Sequence, residues 1–65
     1  MELQPHQQRV VEEKADLDEK ITPLLAFFKT DVCLNLPMAE RCRLMRQASL
    51  MREYSKVLGD RIAAF

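Results

Sequence analysis

Residues 44–65 read LMRQASLMREYSKVLGDRIAAF, and the spacing of their apolar members decides the fold. Leu44, Ala48, Met51, Ser55, Leu58, Ile62 and Phe65 follow one another at alternating steps of four and three. That period belongs to a helix with one buried stripe, close to a coiled-coil seam, and not to the two-residue alternation of a strand. The remaining positions are mostly good helix formers. A second apolar line, Leu50, Tyr54, Val57 and Ala64, runs beside the seam.

Upstream, Val10, Leu17, Ile21, Leu24 and Phe28 repeat the helical spacing, with Lys14 standing where an apolar residue belongs. The two patterned halves are separated by KTDVCLNLP, a connection short enough to make them antiparallel neighbours. The fold class expected is all-α: one antiparallel helical hairpin domain over 1–65, with helix one at about 4–29, a loop at about 30–36 and helix two at about 37–63. Asn35 or Leu36 suits the cap of helix two, Pro37 its first turn, and Glu40 the positive end of its dipole. Val32, Cys33 and Leu34 are expected to fold over the hairpin's end. Pro23 removes a helical hydrogen bond and clashes with the preceding turn, at a cost of about 3 kcal/mol. Thr22 is suited to cap a new helix starting there, so a kink or break is expected near residues 19–23. A continuous helix with a local bend is the alternative that the sequence leaves open.

The chain has 65 residues, 10 Lys and Arg, 10 Asp and Glu, and no net charge. Chains of this size bury only roughly 60% of their unfolded surface, and many rely on self-association. A two-helix hairpin covers one stripe per helix. The second line of helix two, and Val11, Leu25, Ala26 and Phe27 on helix one, therefore call for another copy. Charge is split in the same sense. Through Asp31 there are seven acids and four bases; beyond it, three acids and six bases. A homo-oligomer is expected, with Leu50, Tyr54, Val57 and Phe65 at its interface.

Neutrality argues against binding duplex DNA or RNA. No apolar run approaches the roughly 18 residues that cross a bilayer, and MELQPHQQ lacks a signal-peptide layout, so a cytoplasmic protein without membrane partners is expected. Two cysteines, Cys33 and Cys42, and one histidine make neither a disulfide framework nor a metal site, and no cofactor is implied. There is no phosphate loop and no nucleophile–base set, so enzymatic activity is not expected. The acids Glu12, Glu13, Asp16, Asp18 and Glu19 read as a solvated face with local pairs such as Arg9 with Glu13 and Asp16 with Lys20.

Three further features bear on ligands. His6, in the first turn, has a planar ring able to stack on a base. Lys20 lies about 20 Å further along the helix, so a small ligand reaches both only where two chains cross. The arginines of helix two, Arg52 and Arg61 among them, offer planar forks suited to phosphates and bases.

QRVVEEKADLDEKI, then LAFF, then LP..ER.RL.RQ...M.EYS.VLG.RIAAF together resemble the short phage proteins of the anti-CBASS cyclic-oligonucleotide sponge family, whose helical hairpin is shared with Thoeris-inhibiting sponges. The resemblance runs from Gln7 to Phe65 and lies in helix patterns, the segment YSKVLGDRIAAF being the most distinctive. It implies a hexamer of bent hairpins in the host bacterial cytosol that binds cyclic di- and trinucleotide messengers between protomers without cleaving them. The family's dinucleotide pocket uses an aromatic near the start of helix one and a later lysine. Lys20 in DEKI matches the lysine, while the aromatic's place falls at Pro5 or His6. With Arg9, these make His6 and Lys20 the candidates for that pocket. Arg61 in DRIAAF, and after it Arg52, are the candidates for the trinucleotide pocket. The rival reading is a hairpin that docks on a host protein through Leu50, Tyr54 and Val57.

Overall fold

Gln4 opens the first helix, its backbone N–H donating to the Gln7 side chain at 2.8 Å, and Pro5 takes the first helical position, where a missing N–H costs nothing. In the computed structural model, which describes residues 2–65, this helix, α1, runs Pro5–Phe27. A single turn, α2, covers Asp31–Leu34, and α3 runs Met38–Ala63. The described residues contain no strand, and the two long helices pack against each other as a hairpin.

The facing residues are those of the two stripes. Val10 and Ile21 on α1 and Ala48, Ser55 and Leu58 on α3 are buried, and Leu58 has no exposed surface at all. Leu17, Leu24, Leu44, Met51 and Ile62 are partly covered along the same line. Phe65, by contrast, lies beyond the end of α3 and is exposed.

No break occurs at Pro23. One helix passes through it, and Thr22, instead of capping a new helix, donates its hydroxyl to the Asp18 carbonyl at 3.3 Å. Pro23 and Glu19 are both exposed, so the helical hydrogen bond that Pro23 removes is missing from a solvent-facing stretch of α1. The buried stripe continues on either side through Ile21 and Leu24, and this packing holds the helix across the proline.

The link has structure of its own. Thr30 Oγ1 donates to the Phe27 carbonyl at 2.7 Å and accepts from the Cys33 N–H at 3.2 Å, so one side chain closes α1 and caps α2. Only Cys33 folds inward, at 3% exposed; Val32 and Leu34 point outward, because adjacent residues of a helical turn diverge by about 100°. Asn35 ends α2 rather than capping α3. Pro37 is the cap residue of α3, its carbonyl accepting from Glu40 and Arg41, with Glu40 in the first turn and Arg61 in the last, both favourable to the helix dipole.

The result is a rod of 49 × 15 × 14 Å with a radius of gyration of 15.1 Å, against about 11 Å for a rounded domain of this length. It exposes 5250 Å², where a compact monomer of this mass exposes about 4300 Å².

Candidate functional site

At the centre of the seam, the two polar interruptions meet. Lys14 Nζ donates to Asp18 Oδ2 at 2.8 Å and to Ser55 Oγ at 3.1 Å, and Ser55 Oγ donates to Asp18 Oδ1 at 2.5 Å. This closed triangle joins α1 to α3. It holds the half-exposed Asp18 carboxyl below the ordinary carboxylate range, chiefly through the Lys14 hydrogen bond and then the Ser55 one. Gly59 leaves room for the Lys14 stem: a Cβ there would sit 3.3 Å from Lys14 Cε. The signal in the sequence is a lysine and a serine, each at an apolar register position, one on each helix.

The triangle sets which residues face each other along the two flanks. On one flank lies a groove of about 440 Å³ in which Arg9, Asp16, Leu17 and Lys20 of α1 meet Tyr54 of α3. Glu12 and Glu13 also line it. Two candidate cations are thus brought to one groove, about 16 Å apart along the helix. His6 is exposed and does not line it. The ion pairs among the described residues are Lys14–Asp18 and Arg43–Glu40, each at 2.8 Å, so the expected pairs Arg9–Glu13 and Asp16–Lys20 do not form. Arg9 and Lys20 keep their charge available.

Leu50, Tyr54 and Val57 are 61%, 46% and 52% exposed, and Arg61 extends their line by one helical step on the same flank. Arg52 lies across the seam from them. It lines an opposite groove of about 450 Å³ with Lys14, Ser55, Lys56, Gly59 and Asp60. A single chain therefore does not bring Arg52 and Arg61 together.

At the tip, Phe28, Cys33, Leu34, Met38, Arg41 and Met45 surround an apolar pocket of about 370 Å³. Arg41 Nε is buried there without a hydrogen-bond partner. Cys33 is a buried free thiol, and Cys42 an exposed one. Among the described residues, no group of three or more His, Cys, Asp or Glu is placed to hold a metal ion. No helix of the described residues is long and apolar enough to cross a membrane.

Fold and grooves define a small two-helix hairpin with a polar clasp at mid-seam and an uncovered apolar line on one flank. The chain belongs to the Sequestin family, whose model matches residues 4–64. It matches no curated protein and no solved structure.

Proposed function

We propose that this protein sequesters cyclic di- or trinucleotides, uncleaved, in sites completed between protomers of a homo-oligomer, and so removes a signal from a bacterial effector. The observation that carries this reading is the groove in which Arg9 and Lys20 lie unpaired beside Tyr54. The family's name fits a sequestering role, and the sequence resemblance supplies the ligand class.

One protomer alone makes a poor phosphate site, because Glu12, Glu13 and Asp16 share the groove with the two cations. A second copy across a twofold doubles the cations and the acids alike, so what it adds is the basic α3 that it brings toward acidic α1. A cyclic dinucleotide is itself built of two phosphates and two bases. Each charge-assisted contact to phosphate contributes about 1.5–3 kcal/mol, and preordered helices keep the ordering cost low. The excess surface of the rod and the exposed Leu50 and Val57 supply the area for that assembly. A hexamer, as in the sponges the sequence resembles, meets these requirements.

The test is titration calorimetry with cyclic dinucleotides and cyclic trinucleotides beside the mass in solution. Stoichiometric uptake, with intact nucleotide released on heating, is the result expected. Lys20→Ala is expected to abolish dinucleotide uptake and Arg61→Ala trinucleotide uptake. Absence of heat with every cyclic nucleotide would sink the reading. It would leave the second one, a hairpin docking on a host protein through Leu50, Tyr54 and Val57, which their exposure favours.

A further inference from the structure

We infer that Tyr54 is the base-stacking platform of this protein, and that its place in the groove, rather than in a contact between copies, is what it is for; the inference rests on the proposed nucleotide ligand. Among the described residues, Tyr54 is the only aromatic side chain that lines the Arg9–Lys20 groove. Phe28 belongs to the tip pocket, and Phe65 lies past the end of α3. Tyr54 is 46% exposed, and its hydroxyl makes no hydrogen bond among the described residues, so neither packing nor a polar tie occupies its ring.

Its neighbours have the chemistry a nucleotide needs. Leu17 lies beside it in the groove and supplies an apolar surface on which a base edge loses little by leaving water. Lys20 and Arg9 supply positive charge for phosphates on the same wall, and neither is engaged by an acid. An aromatic face with nearby cations is the combination by which proteins hold unpaired bases: stacking tolerates any base, and the cations take the backbone. The acids Glu12, Glu13 and Asp16 work against a bare phosphate in the same groove. Anion affinity there accordingly depends on what the base contributes. This makes Tyr54 the residue on which retention turns, with Lys20 adding charge. The arrangement also predicts modest discrimination between adenine and guanine, because stacking reads the ring face and not its edge.

The chain carries one tyrosine and no tryptophan, so tyrosine emission reports on this ring alone. Cyclic di-adenylate, cyclic di-guanylate and cyclic tri-adenylate are titrated into the intact protein while emission, calorimetric heat and mass are followed. Quenching that saturates with the heat is expected. Tyr54→Phe is expected to bind within about threefold of the unsubstituted chain, and Tyr54→Leu at least about tenfold more weakly, at unchanged mass. One outcome overturns the inference alone: heat without quenching, or full affinity in Tyr54→Leu, keeps sequestration and removes Tyr54 from it. No heat with any of the three overturns both. If Tyr54→Leu alters the mass, the emission of the unsubstituted protein decides, since an unquenched ring in a loaded protein is not stacked.

Discussion

Asp18 shows how much one side chain carries at the centre of the seam. Its carboxylate accepts from Lys14 and Ser55, and both bonds favour the charged form, which lowers its pKa in the folded state. A depressed folded-state pKa stabilises the protein at pH values above the unfolded carboxylate pKa of about 4, and the contribution is lost as pH falls through the folded value. Asp18→Asn is expected to lower stability near neutral pH and to flatten its decline with acid, as measured by urea unfolding across pH 2–7. An unchanged acid slope would show that the Lys14 and Ser55 bonds do not discriminate between the two protonation states. Gly59 is tied to the same lysine. Alanine in a helix interior is worth about 1 kcal/mol over glycine, but its Cβ would press on the Lys14 stem. Gly59→Ala is therefore expected to be near neutral in the native chain and to stabilise by about 1 kcal/mol once Lys14→Ala has cleared the space. Denaturation of the two singles and the double, at one protomer concentration, measures that coupling.

At the scale of elements, helix existence is legible because each stripe repeats a three- and four-residue step over several turns, and the residues on it are the ones buried, from Val10 and Ile21 to Ala48 and Leu58. Pro23 is the instructive position. A local rule predicts a kink or a break and leaves a continuous helix with a bend as the alternative; the helix is continuous, with burial on both sides of an exposed proline, and neither can be read from residues 19–23 alone. The link fails in a similar way: VCL looks like three apolar residues with one destination, yet a single helical turn can send only Cys33 inward. The groove is the least legible part. Arg9 and Lys20 share a face of α1 by spacing, but the arrival of Tyr54 beside them depends on the register of α3, to which the buried seam and the Lys14–Ser55 bond both contribute. Chemical labelling of the folded protein is the check on the link: Cys42 is expected to react rapidly with an aromatic disulfide reagent and Cys33 only on the timescale of local opening. Two equally fast thiols would place Cys33 at the surface.

For the whole molecule, shape is the dominant fact. A rod only 14–15 Å thick cannot enclose a core, and burial is confined to one line between the two long helices and to Cys33 at the tip. Leu50 and Val57, on one edge of that rod, and Leu34, Met38 and Met45, at its tip, remain in water. Assembly along the edge would relieve it, and the double substitution Leu50→Glu with Val57→Glu is expected to reduce the mass in solution to that of a smaller species while the helix content stays. An unaltered mass would place the contacts elsewhere, the tip being the next surface to substitute.

The Lys14–Asp18–Ser55 triangle has a consequence for how chains sort themselves during folding. It locks α1 to α3 at one alignment, yet none of its three bonds involves the link. A helix-exchanged pair, with each α1 laid on the other chain's α3, would recover the same triangle, and the same seam, bond for bond. What favours the closed form is the link: it keeps α3 beside α1 at a local concentration on the order of millimolar, and its Thr30 bonds and buried Cys33 belong to the closed turn. The triangle thus dictates alignment and leaves parentage to the residues between Phe28 and Pro37, where Thr30 holds the turn.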